Sequence, residues 1–111
     1  MEVVNKSIER FDIYLVKLDP TLGSEIKKTR PCVVISPNEM NILKTILVAP
    51  MTTNGIVFPT RVKVTFQGKA GQIALDQIRS IDKSRLIKKV GILREPTAEN
   101  VLEVLQEMFS K

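Results

Sequence analysis

The 111-residue chain predicts a mainly β fold with one helix: a small, strongly curved antiparallel barrel of SH3-like type closed by a C-terminal amphipathic helix. Three observations carry that expectation. The apolar runs are short and rich in β-branched residues, turn residues recur between them, and the apolar period lengthens from two to about 3.6 only near the end. The length suits a single domain, 1–111, able to bury a modest core without staples. With 43% hydrophobic and 26% charged residues, the composition is that of a folded globular protein.

Residues 11–18 (FDIYLVKL) place Phe11, Ile13 and Leu15 on one face and Tyr14, Val16 and Leu18 on the other. Both faces are apolar, as in a strand within a closed or sandwiched sheet. Asp19, Pro20 and Thr21 then turn the chain into a polar loop. Residues 32–35 (CVVI) read as a buried strand with Pro31 at its first position and Arg30 at the sheet rim. Ser36, Pro37 and Asn38 break it, and residues 39–43 have room for one helical turn. Residues 45–49 (TILVA) form the next strand, ended by Pro50. Residues 60–66 (TRVKVTF) alternate cleanly, with Val62, Val64 and Phe66 opposite Arg61, Lys63 and Thr65. Residues 67–71 (QGKAG) read as a hairpin connection, and 72–81 return as a strand interrupted near Asp76. Residues 86–93 alternate weakly, and Gly91 marks a bulge or an edge. In the helix, Thr97 is the expected N-cap and Glu99 lies in the first turn. Val101, Leu102, Leu105, Met108 and Phe109 form the apolar stripe, opposite Glu103, Gln106 and Glu107. That stripe is expected to cap the barrel; the other use for it is a second copy of the chain.

Seventeen Lys+Arg against twelve Asp+Glu give a net charge of +5, which favours a polyanionic partner. Histidine is absent and Cys32 is the only cysteine, so no zinc or haem site and no internal disulfide are expected, and histidine leaves every catalytic scheme. The opening MEVVNKSIER mixes both charges and lacks an apolar core, which with the lone cysteine reads as a reducing cytoplasm. Apolar runs fall far short of the roughly 20 residues that span a bilayer. Neither a G-x-S-x-G nor a G-x-x-x-x-G-K-[ST] pattern is present.

What remains is polar chemistry at strand ends. Arg30 follows a loop carrying Ser24, Glu25, Lys27, Lys28 and Thr29; Thr52, Thr53 and Asn54 follow Pro50; Asp76, Gln77 and Arg79 interrupt the apolar IALDQIRSI. Each also has a structural reading. Arg30 could pair with Glu25 at the surface, 52–54 could be turn chemistry, and Asp76 could pair with Arg79. A carboxylate within an apolar strand must be paired or face a cleft.

The segments LDPTLGSEIKKTRPCVVISP, VAPMTTN and ALDQIRSID, in this order and at these separations, resemble the MazF/PemK toxin endoribonucleases of bacterial type II toxin–antitoxin systems. Gly23, Ser24, Glu25, Arg30 and Pro31 match the first element of the family's pattern, Thr52 the second, and Asp76 with Gln77 the third. The resemblance covers nearly the whole chain and implies a PemK/CcdB-type barrel. It also implies a sequence-specific, metal-independent, cofactor-free cut of single-stranded RNA, mRNA foremost. A ribose 2′-OH would attack the adjacent phosphate, leaving a 2′,3′-cyclic phosphate and a 5′-OH. By the same resemblance Arg30 clamps the scissile phosphate and helps move protons, while the Thr52 hydroxyl donates to a phosphate oxygen. A guanidinium with a pKa above ~12 is a poor base, so Glu25 is kept for proton transfer or for base recognition. RNA recognition would fall on Leu22, Ser24, Lys27, Lys28, Thr53, Asn54, Phe58, Asp76 and Gln77, with Phe58 as a stacking platform. Some PemK-type members carry Arg two positions before the acidic residue, where this chain has Ala74. Implied partners are a second copy of the chain and an acidic, MazE-like antitoxin whose disordered tail occupies the RNA groove, arresting the toxin's effect on growth. Two alternatives stand beside this. A CcdB-like gyrase poison would need a Trp-Gly-Ile end, whereas this chain has no Trp and ends Phe-Ser-Lys; the other is a non-catalytic SH3-like interaction module.

Overall fold

In the computed structural model, which describes residues 7–53 and 55–111, the chain forms β1 (Asp12–Lys17), β2 (Thr29–Val34), β3 (Thr45–Thr52), β4 (Arg61–Phe66), β5 (Lys69–Ala74), β6 (Arg79–Asp82), β7 (Leu86–Ile92) and α1 (Glu95–Met108). Single 3-10 turns occupy Met40–Ile42, Leu75–Gln77 and Lys83–Arg85. The strands make one curled antiparallel sheet in the order β4-β5-β3-β2-β1-β7, with β6 on a further stretch of β3. No helix among the described residues is long and apolar enough to cross a membrane.

Strand β3 makes the curl. It pairs with β6 from Thr45 to Val48, then with β5 from Met51 to Thr52. Pro50 was expected to end this strand, but the strand runs through it to Thr52. The Ile35 N–H donates to the Leu47 carbonyl, so counting in twos makes Cys32–Pro50 a non-hydrogen-bonded pair. The donor that Pro50 lacks therefore faces the gap between the β6 and β5 ladders, where it costs no bond. Pro31 follows the same logic. It is the third residue of β2, not the first, because the strand starts at Thr29. Its pairing with Leu15 is again a non-hydrogen-bonded one, and its other side lies beyond the first β2–β3 pair.

The expected split of β1 between two faces is what the structure has. Ile13 joins Val33, Ala49, Met51, Val62, Ile73 and Leu75 in one core, while Val16 and Leu18 join Cys32, Val34, Ile46, Val48 and Ile81 in a second. Helix α1 closes the first core by burying Ala98 and Val101, with Val104, Leu105 and Met108 packed beside them. It caps the barrel, as expected, with two corrections. Arg94 is the N-cap and Thr97 sits inside the first turn, because Pro96 has the fixed φ that suits a helix start. Phe109 lies past the last helical residue and is 78% exposed, so it is not part of the buried stripe.

The hairpin is tighter than expected. Only Gln67 and Gly68 connect β4 to β5, both at positive φ (52° and 78°), as a two-residue turn of matching twist requires. Strand β5 thus begins at Lys69. Near Asp76 the predicted interruption is the 3-10 turn Leu75–Gln77. At Gly91 both expectations hold: β7 is an edge strand, and its register with β1 slips between Gly91 and Lys89.

Candidate functional site

Arg30 is the second residue of β2 and Thr52 the last of β3, so neighbouring strands deliver them to the same end of the sheet. Both line a cleft of about 240 Å³, together with Thr53, Lys69 and Gln72. Its lining holds two cations, Arg30 and Lys69, and no carboxylate. Such a site suits an anion. The Arg30 Nε donates to the Lys27 carbonyl at 3.2 Å, which orients the guanidinium from its own loop. No ion pair of Arg30 occurs among the described residues, and Glu25 instead accepts the Leu22 N–H at 2.7 Å. The alternative use of Arg30, a surface pair with Glu25, is therefore not made.

Thr52 owes its position to Gly71. The Thr52–Gln72 pair brings β5 so close that a Cβ on Gly71 would stand 2.8 Å from the Thr52 carbonyl oxygen. Only a residue without a side chain fits that approach.

Ser24, Glu25, Asp76 and Gln77 line a second cleft of about 470 Å³, with Pro50 and Arg79. Glu25 is thus beside Asp76 and Gln77 rather than in the Arg30–Thr52 cleft. Gln77 is engaged at both ends: its carbonyl accepts the Ile26 N–H at 2.6 Å and its amide donates to the Ser24 carbonyl at 3.3 Å. Asp76 does not pair with Arg79, which donates to the Leu18 carbonyl. Its partner is Arg61, in a bidentate pair at 2.7 and 3.1 Å, with Thr60 Oγ1 donating at 2.9 Å. The Arg61 hydrogen bond chiefly holds the Asp76 carboxyl below its ordinary value, and the same bond raises the guanidinium.

Leu22 and Phe58 are exposed side chains on loops, lining neither cleft. Lys27 and Lys28 are exposed on the first loop, where Lys28 takes φ 71° and its N–H donates to Asp19. Asn54 lies outside the described residues. Ala74 stands across the β4–β5 pair from Arg61. The sequence reading passed over Thr60, Arg61, Lys69, Gly71 and Gln72. Arg61 and Lys69 could have been found from the Gln67-Gly68 turn, because a two-residue connection fixes the register that sets Arg61 beside Ala74. Among the described residues no three His, Cys, Asp or Glu side chains come together as metal ligands would.

Residues 9–109 match the family model described as PemK-like, MazF-like toxin of type II toxin–antitoxin system. A Staphylococcus epidermidis protein called Endoribonuclease MazF is 34% identical over 107 residues, covering 87% of this chain and 89% of that protein. Two solved structures share the fold. MazF from Deinococcus radiodurans superimposes with a TM-score of 0.81 at 21% identity, covering 94% of this chain and 97% of that one. An endoribonuclease from a mycobacterial species, solved in complex with its cognate antitoxin, gives 0.76 at 20% identity, covering 90% and 92%. The family match takes in all seven strands and the helix, and the chain belongs to the PemK-like, MazF-like toxins of type II toxin–antitoxin systems.

Proposed function

We propose that this protein is an endoribonuclease toxin of the MazF type, cutting single-stranded RNA at a short sequence without a metal ion and held in check by an antitoxin protein. The observation that carries the reading is the carboxylate-free cleft in which Arg30 and Lys69 meet Thr52 and Thr53. Negative charge gathers on the phosphate as the 2′ oxygen bonds to phosphorus and the bond to the 5′ oxygen breaks. A guanidinium fork and a hydroxyl set in advance at that point lower the barrier without a metal or a histidine. The 2′-OH gives up its proton to water in the open cleft as it attacks, and the departing 5′ oxygen takes one from water, so the protein is left as it began. The products are a 2′,3′-cyclic phosphate and a 5′-OH.

In this reading Arg30 holds the scissile phosphate and Thr52 donates to one of its oxygens. Glu25, Asp76 and Ser24 receive an adjoining base in the second cleft, where carboxylates accept from exocyclic amines. Lys27 and Lys28 attract the backbone, and Leu22 and Phe58 offer apolar surface to unstacked bases. The relative's endoribonuclease name supports the activity, and the mycobacterial complex supports an antitoxin as partner. A pair of chains would extend the basic surface over a longer strand. Membership of this family favours RNA over gyrase as the target.

End chemistry tests it. A long single-stranded RNA is incubated with the protein in EDTA, and the new 5′ ends are mapped with and without prior phosphorylation. Ends that ligate only after phosphorylation, all at one short motif, are the expected result. Intact RNA in the presence of folded protein, or cutting that EDTA abolishes, would overturn the proposal. A pH–rate profile of Glu25→Gln then separates the two uses of that residue: an altered motif with an unchanged profile is expected, and loss of the acidic limb would make Glu25 the base.

A further inference from the structure

Arg61 is joined to both clefts, although it lines neither. Through Nε and Nη2 it grips Asp76, which faces the Glu25 cleft, and through Nη1 it donates to Gln72 Oε1 at 3.4 Å, a residue lining the Arg30 cleft. Gln72 passes the restraint onward. It is buried, and its Nε2 donates to the Ile56 carbonyl at 2.7 Å. A Cβ on Gly55 would come within 3.1 Å of that same nitrogen, so the Gln72 amide lies directly against the 55–56 backbone.

The segment so held is unusual. Ile56, Val57 and Phe58 are three successive apolar residues, at 58%, 93% and 54% exposure. Exposed apolar side chains in a row mark a contact surface. None of the three belongs to either core, so hydrogen bonds to their backbone set their path. The Ile56 carbonyl is taken by Gln72, the Phe58 carbonyl by the Arg61 N–H at 3.0 Å, and the Thr60 carbonyl by the Leu75 N–H at 3.1 Å. Thr60 also donates its hydroxyl to Asp76. Residue 61 thus anchors the segment twice, by main chain and by side chain.

We infer that Arg61 is a positioning residue for RNA specificity, fixing at once the orientation of the Asp76 carboxylate and the path of the 56–58 segment. This rests on the proposed RNA cleavage. A bidentate guanidinium removes the carboxylate's freedom to rotate, so its oxygens meet an incoming base in one orientation only. The carboxylate also remains ionised and can only accept, which selects a base edge offering a donor. Because one guanidinium serves both Asp76 and Gln72, the base in the cleft and the base meeting Phe58 are read by coupled surfaces. Lysine keeps the charge but not the fork.

The test compares wild type, Arg61→Gln and Arg61→Lys in two readouts. Cleavage ends are mapped on a long RNA, and kcat and KM are measured on the oligonucleotide that wild type prefers. Hydrogen exchange of the unliganded proteins is followed across 55–61 and 75–77. The expected result for Arg61→Gln is a motif relaxed at one or two positions, KM raised about tenfold, kcat within about twofold, and faster exchange confined to those two segments. Arg61→Lys is expected to retain the ionised Asp76 but to relax the motif nearly as far. An unchanged motif and KM would overturn the inference, as would a fall in kcat alone. If wild type leaves RNA intact, the proposed activity fails separately, and exchange at 55–61 unaltered by Arg61→Gln would overturn the positioning role by itself.

Discussion

Gln77 holds Ile26 across 51 residues of sequence: its side-chain carbonyl accepts the Ile26 N–H at 2.6 Å while its amide donates to the neighbouring Ser24 carbonyl. The loop that presents Glu25 is thereby tied to the 3-10 turn that presents Asp76. Gln77 was expected to contact RNA, yet both ends of its amide already serve the protein. Gln77→Ala is expected to cost about 1–2 kcal/mol and to speed amide exchange at 24–26 more than elsewhere. Urea unfolding and hydrogen exchange measure the two effects; a loop whose exchange does not change would show that other contacts hold it.

The Arg61–Asp76 pair gives stability a dependence on acid. Arg61 chiefly lowers the Asp76 carboxyl in the folded state, whereas in the unfolded chain it titrates near ~3.9. The contribution is complete above that unfolded value and is lost as pH falls through the lower folded one. With a third of the Asp76 side chain exposed, screening keeps the effect small. Asp76→Asn is expected to cost about 0.5–1 kcal/mol at pH 7 and to unfold with a shallower loss of stability below pH ~4 than wild type. Parallel acid profiles for the two proteins would contradict this.

Burial pushes the Cys32 thiol up to about 12, against the opposing charge of Arg79. The unfolded thiol titrates near ~8.5, so the folded state holds its proton where the unfolded chain has lost it. This contribution is present below the unfolded value and declines as pH rises toward the folded one, by up to ~1.4 kcal/mol per unit. Urea unfolding at pH 7.5 and 9.5 is expected to show a larger loss for wild type than for Cys32→Ala. Native Cys32 is also expected to resist alkylation at pH 8, and rapid labelling would contradict its enclosure.

Gly71→Ala tests how closely β5 must approach Thr52. The added Cβ meets backbone at 2.8 Å, so the strands must separate by a few tenths of an ångström or more. Overpacking of this kind costs about 1–3 kcal/mol. Cleavage measured well below the melting temperature is expected to fall further than the loss of folded protein explains, because Thr52 moves with its strand. Activity that simply tracks folded fraction would remove Thr52 from the site.

Much of this fold was legible because two-faced strands leave a clear pattern. The split of residues 11–18 between two cores followed from alternation alone, and the helix was found by its change of period. Two misjudged boundaries sit at prolines. Pro50 was taken as a strand's stop and Pro31 as a strand's first residue, but both lie within strands because their missing donors face away from the ladders. The five polar and small residues 67–71 hid a two-residue turn, and with it the register linking Arg61 to Asp76. The anchoring of Gln77 to Ile26 was out of reach for another reason: a contact across 51 residues depends on how the sheet curls, which local pattern does not encode.

The account centres on Arg30. Single-turnover cleavage of one oligonucleotide in EDTA, by wild type and Arg30→Ala at equal folded concentration, tests it most directly. Removing a preorganised charge from the scissile phosphate is expected to slow the chemical step by about 10²–10³ while leaving the melting temperature nearly unchanged. An Arg30→Ala protein that cuts at the wild-type rate would place the reaction outside the Arg30–Thr52 cleft and contradict the account.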